Sequence, residues 1–336
     1  MIWFRHRQFR FAAELIQVKT PCGLLQMPSA SATMGAMHYA FLAVVCAVTL
    51  IPRDTYFAMP PKFRGDLVEH AHSRRTAVTD LEISGDLRGL PPGSTRYLTR
   101  QELLVLPQVS YTVNDDSNFT GPTQIGGVLL EDLLPALAGD PDRDLVVAAC
   151  SDQYHAHYPR SYLLVHHPIL VLTINGQPPE RWPKDSGGQN LDIGPYLISH
   201  AQFKPAFKLL SHADQAQIPW GVIRLEFRNE KRLLTAIAPP VRYSEDRSVQ
   251  IGYRIAQQNC LRCHNAGRNG GEQARHPWLV LSAWASASPV HFAKYVRFPQ
   301  AENPNAKMHP NPGYDDATLQ ALTAYFRSFL QTEKKP

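Results

Sequence analysis

Gln258-Asn259-Cys260-Leu261-Arg262-Cys263-His264 is the stretch on which the reading of this chain turns. Two thiols three apart, followed at once by an imidazole, form C-x-x-C-H, the attachment pattern for c-type haem. The spacing has a chemical reason. On one helical turn both thiols reach the vinyl groups on one edge of a porphyrin, and the next residue points its ring at the iron. A zinc site would need further Cys or His at ligand spacing, and no second Cys follows. A redox dithiol would be expected near a βαβ pattern. Here Val249, Tyr253, Ile255 and Ala256 read as an amphipathic helix leading into the motif.

The sequence downstream supplies what such a site needs. Met308 lies 44 residues after His264, within Asn-Ala-Lys-Met-His-Pro-Asn-Pro. A thioether opposite a histidine raises the reduction potential and suits electron transfer. His309 is the competing sixth ligand. Pro304, Pro310 and Pro312 are expected to keep this loop extended and stiff. A capped amphipathic helix should follow, with Asp315 or Asp316 as cap and Leu319, Leu322, Tyr325, Phe326 and Phe329 at helical spacing. These apolar residues are expected to pack on the first helix near Gly252.

Residues 245–332 therefore resemble a class I c-type cytochrome domain. The resemblance rests on the order helix, Cys260-x-x-Cys263-His264, loop, middle helices, Met308 loop and a final helix with a Tyr. It implies an all-α domain with one covalent haem c, held by Cys260 and Cys263, with His264 and Met308 as axial ligands. It also implies that a Pro carbonyl about a dozen residues past the His accepts the proximal imidazole N–H, and Pro277 stands in the matching place. Such a bond fixes the ring's tautomer and basicity. The family's glycine-rich approach to that Pro is partly kept, as Gly270-Gly271.

Residues 76–230 have another character. Short β-like runs at 109–113, 145–149, 169–174 and 218–227 alternate with turn signals. Helical pieces lie at 99–104, capped by Thr99, and at 129–137, with Leu130, Leu133, Leu134 and Leu137 on one face. Asn175-Gly176 marks a turn. The mixture predicts an α+β domain ahead of the all-α one. Its motifs resemble the molybdopterin-binding domain of the sulfite oxidase superfamily. The carrying pieces are Leu98-Thr99-Arg100-x-Glu102-Leu103, Gly126-Gly127-Val128-x-Leu130, Ser151-Asp152-x-Tyr154, Leu172-Thr173-Ile174-Asn175-Gly176-x-Pro178 and Trp220-Gly221-Val222-Ile223-Arg224-Leu225-Glu226.

The departures from that family matter more than the matches. Its catalytic members carry a molybdenum-ligating Cys on the strand ahead of the Gly-Val-x-Leu helix. Here the strand reads Val109-Ser110-Tyr111-Thr112-Val113, without a thiol. A carboxylate such as Asp115 or Asp116 is too hard to replace it. Cys150 falls one strand late and reads as a small buried hydrophobe. The usual Gly-Pro-Leu-Arg and Asp-Gly-Tyr pieces appear as Gly194-Pro195-Tyr196-Leu197 and Asp152-Gln153-Tyr154. Molybdopterin is therefore not expected. His155, His157, His166 and His167 cluster in sequence, but strand-end histidines are more often satisfied polar groups than ligands.

The 336 residues suit two domains of roughly 100–200 residues each. An apolar share of 44% excludes a disordered chain, and a net charge of only +5 gives no footing for nucleic acid. Residues 39–51 form an apolar run shorter than the about 20 residues of a membrane helix. They fit the h-region of a secretory signal, with an uncleaved anchor or a buried helix as alternatives. Residues 1–58 are thus expected to be a signal or a mis-assigned extension, Met34 and Met37 offering other starts. A membrane association follows only if that run is kept. From residue 245 onward there are eleven basic and seven acidic residues, whereas residues 59–244 hold eighteen and twenty. The basic haem end, with Arg262, Arg268 and Lys307, is expected to meet an acidic patch on a redox protein partner or on the protein's own sheet domain.

The expected function is that of a periplasmic or otherwise exported monohaem electron carrier, its degenerate molybdopterin-type domain docking a partner or ligand. The alternatives are a molybdenum oxidoreductase passing electrons to its own haem, and a redox or ligand sensor.

Overall fold

The computed structural model describes residues 66–114, 116–138, 142–184, 191–201, 208–209, 212–213 and 217–330. The expected signal at 1–58 and Asp115 lie outside them. The described residues form one compact unit, an α+β fold. Its strands are β1 (Leu81–Gly85), β2 (Ser94–Leu98), β3 (Val109–Val113), β4 (Thr123–Leu129), β5 (Leu145–Cys150), β6 (His155–Pro159), β7 (Pro168–Ile174), β8 (Tyr196–His200), β9 (Lys208–Leu209), β10 (His212–Ala213) and β11 (Trp220–Arg228). Its helices begin with α1 (Asp66–His70), α2 (Arg100–Leu104), α3 (Leu130–Leu137), α4 (Arg160–His166) and α5 (Glu230–Leu234). They continue with α6 (Arg247–Ile255), α7 (Trp278–Ala287), α8 (Pro289–Arg297), α9 (Pro299–Glu302) and α10 (Asp316–Ser328). Among the described residues, no helix is long and apolar enough to cross a membrane.

Nine strands form one mixed sheet in the order β2-β1-β11-β8-β7-β4-β3, with β5 and β6 added through β11. β11 runs parallel to β1 and antiparallel to both β8 and β5. It serves its two antiparallel neighbours because it is bulged between Trp220 and Arg224, where Gly221 takes a φ of 64°. Thr99 caps α2 in a capping box with Glu102, as its spacing predicts. The leucines of α3 lie buried on its inner face. Gly126 and Gly127 are in β4 rather than in the helix. A Cβ on Gly127 would stand 2.0 Å from the carbonyl oxygen of Leu170, so the residue is there to let β7 approach.

β5 is buried along its whole length. Val146, Ala148 and Cys150 face the core beneath α1–α4, and Leu145 and Val147 face the C-terminal helices. Period-2 alternation puts successive side chains on opposite faces. A strand covered on both faces therefore reads as an unbroken apolar run. Cys150 is part of that core, and burial pushes its thiol pKa up.

Among the C-terminal helices, Asp315 caps α10 by accepting from the Thr318 N–H at 2.8 Å. α10 crosses α6 at Gly252, where a Cβ would lie 2.1 Å from the Ala321 carbonyl oxygen. Tyr325 is fully buried; its hydroxyl donates to the Ile237 carbonyl at 2.5 Å and accepts from Trp278 Nε1 at 3.1 Å.

The four clustered histidines are dispersed by the fold. His155 and His157 share one face of β6, His166 is buried at the end of α4, and His167 pairs with Glu131 at 2.8 Å. Among the described residues, no three His, Cys, Asp or Glu side chains converge to hold a metal ion. Gln217 instead receives the β6 backbone, its Oε1 accepting from the His157 N–H at 2.8 Å and its Nε2 donating to the His157 carbonyl at 2.5 Å. His200 meets the Tyr162 hydroxyl at 3.1 Å.

Burial lowers the pKa of both His157 and His200 from 6.5 to about 3. An unfolded chain takes up these protons below pH 6.5, while the fold refuses them until about pH 3. Stability is therefore full above 6.5 and falls as pH drops through that window, by up to about 1.4 kcal/mol per pH unit for each histidine. Urea midpoints at pH 7 and pH 4.5 should show the loss, and His157→Gln should reduce it. Equal losses in the variant and the wild type would remove His157 from this account.

Candidate functional site

α6 does not run into Cys260 as a regular helix. Its last turn widens, with Ala256–Cys260 in π geometry and the Leu261 N–H donating to the Ala256 carbonyl at 3.0 Å. Such insertions concentrate at functional sites. A tight turn follows, the His264 N–H donating to the Cys260 carbonyl at 2.9 Å. Cys260 and Cys263 are both free thiols, with pKa values pushed by burial to about 12 and about 11. His264 is 9% exposed. Burial lowers its pKa, which holds the ring neutral.

The imidazole bond expected at the Pro277 carbonyl is made by the residue before it. His264 Nδ1 lies 2.6 Å from the carbonyl oxygen of His276. Pro277 is the N-cap of α7, and its own carbonyl accepts from Val280 at 2.9 Å and from Leu281 at 3.2 Å. A carbonyl that opens a helix is committed to that helix, whereas the one before it is free to turn toward the imidazole. The bond makes Nδ1 the protonated nitrogen and leaves Nε2 with its lone pair.

Met308 is half-buried and packs on the same apolar core as Cys260, whereas His309 beside it is exposed. Side chains hold this loop more than its prolines do. Gln300 Nε2 donates to the carbonyls of Ala306 at 3.0 Å and Met308 at 2.8 Å. Asn311 Nδ2 donates to the Val296 carbonyl at 2.9 Å. Arg297 Nε donates to the Tyr314 carbonyl at 2.9 Å, and the Tyr314 hydroxyl is bonded by Asn259, the residue before Cys260.

Sequence reasoning missed the sheet's part in this site. The turn between β5 and β6 docks on the loop that carries Cys260, Cys263 and His264. The His155 N–H donates to the Arg262 carbonyl at 2.9 Å, and the Glu272 N–H donates to the Gln153 carbonyl at 3.0 Å. Gln273 Nε2 donates to Asp152 Oδ2 at 2.6 Å, while its Oε1 accepts from Cys263 Sγ at 3.1 Å. Arg228 reaches Asn269 at 3.0 Å. Gly271 is the available signal. A Cβ there would lie 1.9 Å from the Arg262 carbonyl oxygen and 2.9 Å from that of Gln153. Arg262 itself is 8% exposed, which corrects its expected place in a surface patch; Arg268 and Lys307 are exposed.

The donor set fits a covalently held haem. It comprises two free thiols at the required spacing, a neutral imidazole oriented through Nδ1, and a soft thioether on a braced loop over the same core. An open groove of about 860 Å³ beside α8 and α10, lined by Val290, Phe298, Leu319 and Arg327 among others, contains none of these donors.

No protein-family profile matches the sequence, and no curated protein matches it. Among solved structures, the sulfane dehydrogenase SoxCD from Paracoccus pantotrophus is matched over 47% of this chain and 40% of that chain, at 14% identity and a TM-score of 0.29. A likeness of that size carries no argument about this chain.

Gly271→Ala should destabilise the protein by about 2 kcal/mol or more, because both obstacles are backbone. Gly313, with nothing within 4 Å of a Cβ, should accept Ala within about 0.5 kcal/mol. Thermal unfolding of the two variants decides it; equal melting temperatures would mean the loop and the turn are not in contact in solution.

Proposed function

We propose that this chain is an exported electron-transfer protein of the c-type cytochrome kind, carrying one covalent haem c. The observation that carries the reading is the orientation of His264, whose Nδ1 is engaged by the His276 carbonyl beside two free thiols at C-x-x-C spacing. Cys260 and Cys263 would hold the haem covalently, and His264 and Met308 would ligate its iron. Bound haem supplies a one-electron Fe(III)/Fe(II) couple. The chain's residues do the rest. His276 fixes the ring of His264, Gln300 and Asn311 brace the loop of Met308, and the apolar core behind Cys260 keeps water away. Residues 245–332 form the haem domain in this reading, and residues 76–230 a molybdopterin-type domain used for docking.

No molybdenum step is part of this reading. β3 offers no thiol, and Cys150 is 5% exposed within the core. Exposed Arg268 and Lys307 favour an acidic redox protein as partner.

Haem should remain with the chain through acid–acetone extraction, at one iron per chain and without stoichiometric molybdenum. Cys260→Ala with Cys263→Ala should abolish the retention, and release of all haem from the wild type would refute the attachment. Met308→Ala should lower the reduction potential and admit exogenous ligands, since a thioether favours Fe(II). An unchanged spectrum in that variant would move the sixth ligand to His309.

A further inference from the structure

Two opposite charges stand at the attachment loop without a part in the reading above. Arg262 lies between the two attachment cysteines and is buried. Its side chain is hydrogen-bonded with Tyr154, which packs on the core of the sheet. Asp152 comes from the sheet turn and reaches the loop through Gln273, whose amide spans Asp152 Oδ2 at 2.6 Å and Cys263 Sγ at 3.1 Å. Thioether formation breaks the link to sulfur but leaves the link to Asp152. The thiol hydrogen is lost from sulfur, but Gln273 Nε2 stays on Asp152, because turning the amide would set its carbonyl against the carboxylate.

We propose that the sheet turn sets the reduction potential of the haem site, Asp152 acting through Gln273 as a lowering charge and Arg262, held by Tyr154, as a raising one. The inference rests on the covalent haem proposed above and names the residues that regulate that same site. Ferric haem carries one positive charge more than ferrous. A carboxylate beside the attachment sulfur stabilises the ferric state, and a guanidinium destabilises it. Arg262 is shielded from water whereas Asp152 and Gln273 are exposed, so the arginine has the larger effect and salt screens the aspartate more. Asp152 and Gln273 are positioning residues here, since they act on the iron through Cys263 and do not ligate it. The two charges belong to segments 110 residues apart in sequence, so a partner that takes hold of the turn alters the haem's readiness to accept an electron.

Redox titration of the full-length holoprotein tests this. At the potential where wild type is half reduced, Asp152→Asn should lower the ferric-to-ferrous ratio roughly threefold, and Asp152→Glu should stay at the wild-type value. Arg262→Gln should raise that ratio, roughly tenfold. Opposite signs distinguish charge from loosened packing, which would move both variants the same way. If Arg262→Gln does not fold, the Asn and Glu pair at the exposed Asp152 decides alone. Covalent haem with a potential unmoved by Asp152→Asn, or moved equally by Asp152→Glu, would overturn the inference and leave the haem reading intact. A wild-type chain without covalent haem would end both.

Discussion

The arrangement depends on burying β5 from both sides. One face of the strand completes the core under α1–α4, and the other gives Leu145 and Val147 to the helices that follow the sheet. A strand with both faces apolar gains nothing from water on either side, so the helices are held against the sheet by the ordinary cost of exposing that surface. The strand then runs directly into residues 151–154, which touch the loop of Cys260 and Cys263. Packing of the strand thus sets the position of the turn, and the turn sets the position of the thiols.

Around His264 the backbone does most of the positioning. The ring is oriented by a carbonyl, and that carbonyl is available because the next residue starts a helix. A proline at that point has no N–H to satisfy and a φ already suited to the transition. Its role is to end the loop and let the preceding carbonyl face inward. The glycines serve the same end at the opposite side of the loop, where no side chain fits between Gly271 and the backbone of Arg262 and Gln153.

What was legible in the sequence was whatever a short window contains. The Thr99 capping box, the leucines of α3, the Asp315 cap and the period of α10 are local patterns, and the structure has each of them. β6 was not legible. In His-Ala-His-Tyr-Pro only Ala156 and Tyr158 alternate with the histidines, too short a pattern to mark a strand, and what makes it one is β5 together with an amide from Gln217, sixty residues away. The burial of Arg262 was equally hidden, because its neighbour Tyr154 lies more than a hundred residues earlier. The π turn before Cys260 has no composition of its own, and the Pro277 expectation failed by one residue because a carbonyl's direction is set by the backbone and not by residue type.

The double burial of β5 also bears on how the chain comes together in time. Its first face is covered by the core beneath α1–α4, but its second face waits for the apolar residues that follow the sheet, from Leu233 and Ile237 to α10. The bond from Tyr325 to Ile237 closes a loop of 88 residues and belongs to α10. Chains emerge N-terminus first, so Leu145 and Val147 stay uncovered until those later residues are made. Until α10 arrives, the sheet carries an open apolar face at an exposed strand. A chain truncated before that helix would present it permanently, and would be expected to associate with itself or with a chaperone.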